Sequence, residues 1–119
     1  MIWFTIDTGS VFSALSETEA ILTGIDLSML PFEKSDSVGF GGFFRSRILN
    51  KQIELFFHGD EGEHKIAQSA MKVIGPPEDM EEKRRKELLT LFPCVLGMDI
   101  LSKFDVHLYK KKFELIPRE

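Results

Sequence analysis

Apolar and polar positions along this chain repeat with two different periods, and the points where the period changes mark its elements. Residues 2–6, IWFTI, form a β-branched and aromatic run that predicts a short strand ending at Asp7-Thr8-Gly9. SETEAILTG predicts a short helix, because Ser16 and Glu19 stand at capping-box spacing and Gly24 suits a left-handed stop. LPFEKSDS reads as an irregular connection. In SVGFGGFFRSRILNKQIELFF, Gly39, Gly41 and Gly42 interrupt residues that prefer extended structure, which predicts a hairpin with a mobile glycine-rich tip.

QIELF alternates cleanly, and HGDEGEH is a polar turn leading into a strand over KIAQSAMKVI that Pro76-Pro77 closes. EDMEEKRRKELLTLF predicts a helix with acids in its first turn and one apolar face at Leu88, Leu89 and Leu91. CVLG predicts a buried strand stopping at Gly97, and MDILSKF about two helical turns. DVHLYKKKFELI predicts a hairpin turning on its lysines, with Val106, Leu108, Phe113 and Leu115 facing inward. The pattern is that of one mostly-β domain over residues 1–119, free of repeats, low-complexity tracts and linkers.

Composition narrows the partners. Fifteen basic against 19 acidic side chains leave a net charge of −4, which does not gather nucleic acid. The basic clusters EKRRKE and YKKK suit a solvated helix face and a hairpin turn. No apolar run approaches the ~18 residues that would cross a bilayer, so no membrane partner is expected. MIWFTIDTGS lacks a basic leader and carries an aspartate, unlike a signal peptide. A single cysteine, Cys94, forbids an internal disulfide and fits a reducing, cytoplasmic location. Next to Pro93 and VLG it reads as a small buried hydrophobe rather than a nucleophile.

The candidate chemistry lies in TIDTGS. A carboxylate at a strand end, followed by Thr-Gly, is placed so that the loop folds back and a backbone N–H can donate to it. Three letters also occur in plain turns, so the motif alone decides nothing. Two other features follow in order: the glycine-rich hairpin VGFGGFF about thirty residues later, and CVLGMDILSKFDVHLYKKKFELI near the C-terminus. Taken together, TIDTGSVFSALS and these two stretches resemble the retropepsin-like aspartic proteases, single-domain relatives of the retroviral proteases, across residues 3–116.

The resemblance implies a closed β-barrel or sandwich half with a flap hairpin, a short C-terminal helix and an extra surface helix. It implies an aspartic endopeptidase with Asp7 as the catalytic carboxylate, Thr8 bonding across to a counterpart loop, and Gly9 offering its N–H to Asp7. Ser10 would reach the outer carboxylate oxygen. Gly39, Phe40, Gly41 and Gly42 would be the flap tip that pins an extended peptide, and Val95, Leu96 and Gly97 the turn beneath the loop. Asp99 and Asp105 lack Thr-Gly, so one chain supplies one motif. The implied enzyme is therefore a homodimer acting on a peptide or protein substrate, without metal or other cofactor.

The chain departs from that family in three places. Val11 and Met98 stand where retroviral members carry an acid and an arginine, so an apolar contact is expected to replace the ion pair. Residues 76–92 form a helical insertion. Six residues precede Asp7 where the family has some twenty, so the N-terminal strand region is expected to be lacking, with an open sheet edge and weakened activity. The alternative function is a dimerisation or peptide-binding module that keeps the fold without catalysis. In HGDEGEH, the residues His58, Asp60, Glu61, Glu63 and His64 offer metal ligands, but an acidic hairpin turn is the preferred reading. His107, between Val106 and Leu108, is expected on a solvent face.

Overall fold

A strand buried on both faces must be apolar at successive positions, and Leu15, Val73-Ile74 and Cys94-Val95-Leu96 mark three such strands. They are β2 (Ala14–Ser16), β7 (Met71–Gly75) and β8 (Cys94–Leu96), the centre of the molecule. The structure, a computed structural model, describes residues 1–34, 37–39, 42–77 and 79–118, with backbone alone at 37–39, 42 and 43. The remaining strands are β1 (Phe4–Ile6), β3 (Ser37–Gly39), β4 (Gly42–Leu49), β5 (Ile53–Gly59), β6 (Gly62–Gln68), β9 (Phe104–Leu108) and β10 (Phe113–Pro117). The α-helices are α1 (Glu17–Leu22), α2 (Glu82–Leu89) and α3 (Met98–Leu101), and Leu27–Met29 form a 3-10 turn.

Six strands form one sheet in the order β1-β8-β2-β7-β4-β3, and β5–β6 and β9–β10 are separate antiparallel hairpins. The domain is mostly strand, as the alternation predicts, but the expected closed barrel is not present. Closure requires the two edges to pair, whereas β1 and β3 lie at opposite ends of the sheet order. Within the sheet β1 runs parallel to β8 and β2 parallel to β7, with Phe4 opposite Cys94 and Leu15 opposite Val73.

The two-residue period divides the core. Leu15, Leu49, Met71, Val73, Cys94 and Leu96 enter the main cluster with Ala20, Ile66, Ile100, Leu101 and Phe104. Their neighbours Ala14, Ile74 and Val95 face the other side, packed with Phe44 and Phe92. The β5–β6 hairpin covers the main cluster with Ile53, Leu55, Phe57 and Ile66, and Phe57 meets Phe104 edge-on at 5.3 Å between ring centres.

Helix α1 follows its local signals. The Ser16 hydroxyl accepts the Glu19 N–H at 3.2 Å. At the other end Gly24 takes φ +90°, while Ile25 N–H reaches Ala20 C=O and Gly24 N–H reaches Ile21 C=O. That pair of bonds is a Schellman stop, which needs a left-handed residue.

Four local expectations are corrected. KIAQSAMKVI is two strands, β6 and β7, because Ser69-Ala70 carries the chain from the hairpin into the main sheet. Of the described residues in 76–92, where a helical insertion is expected, only Glu82–Leu89 are helical, none of them is buried, and Leu91 is 72% exposed. MDILSKF gives one helical turn, α3, because the chain turns back into β9 at Phe104. In the last hairpin Val106 and Leu115 are half-buried, but Leu108 (79%) and Phe113 (46%) are exposed, since the hairpin runs out beyond the core.

Although α2 buries no residue, it is held at its start. Arg85 donates to the carbonyls of Pro76 and Pro77 at 2.9 and 3.0 Å and to Glu17 Oε1 at 3.2 Å. Glu17 is itself buried, lying over Gly75 so closely that a Cβ there would meet its carboxyl carbon at 2.2 Å.

Candidate active site

Strand β1 is three residues long and delivers Asp7 to the end of the sheet beside β8. The Asp7 N–H continues the ladder by donating to Leu96 C=O at 3.0 Å, which fixes the backbone at the head of the loop. The loop then folds on itself. Gly9 N–H donates to Asp7 Oδ1 at 2.9 Å, and Ser10 N–H to Asp7 C=O at 3.2 Å. That hydrogen bond to the carboxylate oxygen orients the Asp7 side chain within the loop. At Gly9 a Cβ would stand 3.2 Å from Asp7 Oδ1, so glycine allows this approach without crowding the acceptor.

The rest of the loop lies strapped to the turn after β8. Met98 N–H donates to Ser10 C=O at 2.8 Å, Asp99 N–H to Val11 C=O at 3.1 Å, and Gly97 N–H to Ser13 Oγ at 2.9 Å. Gly97 is required by space. A Cβ on it would meet Phe12 O at 2.5 Å and Ser10 O at 2.8 Å, both backbone atoms. Below, the hydroxyl of the fully buried Ser13 donates to Asp99 Oδ1 at 2.6 Å, and Gln68 Nε2 donates to Asp99 Oδ2 at 3.0 Å.

The structure thus brings Asp7, Gly9, Ser10, Leu96 and Gly97 together, while Val95 is buried on the second face of the sheet with Ala14 and Ile74. One detail differs from expectation. The Ser10 hydroxyl donates to Phe12 C=O at 2.7 Å, because the tight loop places that carbonyl two residues on, and not to the carboxylate. Thr8 is exposed. Gly39 and Gly42 pair across the end of the β3–β4 hairpin at the sheet edge opposite β1, and Phe40 and Gly41 lie outside the described residues.

Apolar side chains border the loop on its outer side: Val11 is 66% exposed, Phe12 52% and Met98 41%. Lys72 caps Phe12 with its ammonium 4.0 Å from the ring centre and forms an ion pair with Glu33 at 2.8 Å. The Ser46 hydroxyl also donates to Glu33. Burial pushes the Glu33 carboxyl up, but the Lys72 and Ser46 hydrogen bonds and the Lys72 charge outweigh it, so it ionises below the ordinary glutamate value.

Ser13, Gln68 and Asp99 were not singled out as a site by sequence reasoning. The visible signal was small: an aspartate two residues after Gly97. Its partners are 86 and 31 residues away, so only the folded sheet joins them.

The other candidate residues separate. His58 pairs with Glu63 across the β5–β6 hairpin at 3.4 Å, while His64 turns to the Phe104 ring at 5.6 Å. Among the described residues no group of three or more His, Cys, Asp or Glu side chains is arranged to hold a metal ion. Cys94 is buried at the base of β8, where burial pushes its thiol pKa up. No helix among the described residues is long and apolar enough to cross a membrane. Comparison of the chain with protein-family models, with curated proteins and with solved structures found no match.

Proposed function

We propose that the chain is an aspartic endopeptidase of the retropepsin-like kind, acting as a homodimer in which two copies of Asp7 face each other. The observation that carries this reading is the Asp7 loop itself, a carboxylate at a strand end whose Oδ1 accepts the Gly9 N–H at 2.9 Å. Support comes from the glycine-capped β3–β4 hairpin and from the apolar rim at Val11, Phe12 and Met98, which offers a second copy a surface beside the carboxylate.

Two carboxylates held close cannot both ionise cheaply, so the pair shares one proton, as in the aspartic-protease dyad. The ionised member takes a proton from the water between them as that water's oxygen attacks the scissile carbonyl. The protonated member donates to the carbonyl oxygen, giving a neutral tetrahedral diol. Collapse of the diol returns a proton to the leaving amine and regenerates the shared-proton pair. The chain supplies both acids and the N–H groups that hold them.

The second reading is a dimerisation or peptide-binding module without catalysis, favoured by the position of β1 as a three-residue edge strand. Asp7→Asn separates the two. Cleavage of a denatured protein substrate at acidic pH should vanish in the variant while circular dichroism stays unchanged, and wild-type specific activity should rise with protein concentration. Cleavage by Asp7→Asn at the wild-type rate would remove the catalytic assignment. A wild-type chain that dimerises and binds peptides without cutting them would favour the module.

A further inference from the structure

We infer that Asp99 is a positioning residue for the Asp7 loop, acting through Ser13 on the single peptide unit that joins Leu96 to Gly97. Both sides of that peptide unit are held by the loop. Its C=O accepts the Asp7 N–H at 3.0 Å, and its N–H donates to Ser13 Oγ at 2.9 Å. A rotation of this unit therefore moves the backbone on which Asp7 stands.

Counting donors and acceptors shows why a carboxylate is needed there. Ser13 is 0% exposed, and its hydroxyl has one proton to give. An ionised carboxylate only accepts, so Asp99 obliges Ser13 to donate downward, at 2.6 Å, and leaves its oxygen lone pairs for the Gly97 N–H. The second carboxylate oxygen takes Gln68 Nε2 at 3.0 Å. Gln68 is oriented in turn, because its Oε1 accepts Lys103 Nζ at 3.2 Å. The direction of every bond in the chain from Lys103 to Gly97 is thereby set. It ties the catalytic loop to the end of β6, and the Asp99 backbone N–H adds a further bond to Val11 C=O. The buried Gly97 N–H keeps its partner only while Ser13 points toward Asp99.

The test has two arms, and only the kinetic one rests on the proposed protease reading. Ser13→Ala removes the acceptor of Gly97 outright. Asp99→Asn preserves shape but offers one amide oxygen where the carboxylate offers two, so either Ser13 or Gln68 loses its acceptor. By native-state hydrogen exchange, the Gly97 amide should exchange about five- to tenfold faster in either variant, measured relative to the core amide of Val73. The double variant should be no faster than Ser13→Ala, because both changes act on one bond. In peptide cleavage, kcat should fall about tenfold with KM little changed, since the loop and not the substrate groove is displaced.

Gly97 exchange that merely tracks Val73 in both variants overturns the proposal, as does a double variant whose effects add. Asp99→Asn guards against a Ser13→Ala chain that fails to fold. A wild-type chain without cleavage would count against Asp7 as a catalyst, while the exchange arm still decides the role of Asp99.

Discussion

Replacing Arg85 with alanine should destabilise this protein far more than a change in a helix without buried residues would suggest. The guanidinium makes three hydrogen bonds, two to the Pro76 and Pro77 carbonyls and one to the Glu17 carboxylate. The Glu17 side chain is 8% exposed and that of Arg85 26%. Removing one partner of a buried ion pair costs roughly 3–5 kcal/mol, because the other charge is left uncompensated. Partial exposure of Arg85 places this pair at the lower end, about 3 kcal/mol.

For a domain of this size each kcal/mol moves Tm by roughly 4 °C, so Arg85→Ala should melt about 12 °C lower. Glu17→Gln alone removes the charge and keeps the shape, at about 1 kcal/mol. In the Arg85→Ala background it should be neutral or stabilising, giving a coupling energy of about 1–2 kcal/mol. Urea unfolding of the four proteins by circular dichroism closes the cycle. A cost below about 1 kcal/mol for Arg85→Ala, or strictly additive single effects, would refute the claim that this pair anchors α2.

Gly97→Ala should cost roughly 1–3 kcal/mol and impair any Asp7-dependent cleavage, because the new methyl would meet backbone at Phe12 and Ser10; unfolding midpoints equal to wild type would contradict the close packing. The depressed Glu33 pKa makes its ion pair stabilising above the ordinary value of 4.5, with that contribution lost as pH falls through the lower folded value. Wild type should therefore lose stability more steeply than Glu33→Gln below about pH 4.5, and equal acid slopes in urea titrations would count against the Lys72–Glu33 clamp. Cys94, buried with a raised pKa, should react with a disulfide reagent at least ~100-fold more slowly in the native protein than in urea; comparable rates would mean that β8 is open.

Elements governed by neighbours in sequence were legible without coordinates. Ser16 and Gly24 bound α1 because a cap hydroxyl and a left-handed residue act within one turn. The apolar run at Cys94–Leu96 and the polar turn inside the β5–β6 and β9–β10 hairpins likewise declare themselves locally. So does the loop bond from Gly9 to Asp7, which spans two residues and needs only glycine's small size. The mostly-β class follows from the same two-residue period.

Tertiary structure decided what depends on distant partners. KIAQSAMKVI carries no internal sign that it divides between two sheets, since either half is a good strand; only the pairing of β7 with β2 and β4 separates them. Leu108 and Phe113 alternate correctly, yet alternation states which face a residue occupies, not whether anything covers that face. Glu17 and Arg85 look like two surface charges in sequence, and folding across 68 residues makes them one part-buried pair. Asp99 looked like a spare acid until the β8 turn laid it under Ser13. A hydrogen-bonded carboxylate gains its meaning from the donors around it, and here those donors, Ser13 just before β2 and Gln68 at the end of β6, come from segments that the sequence does not place side by side.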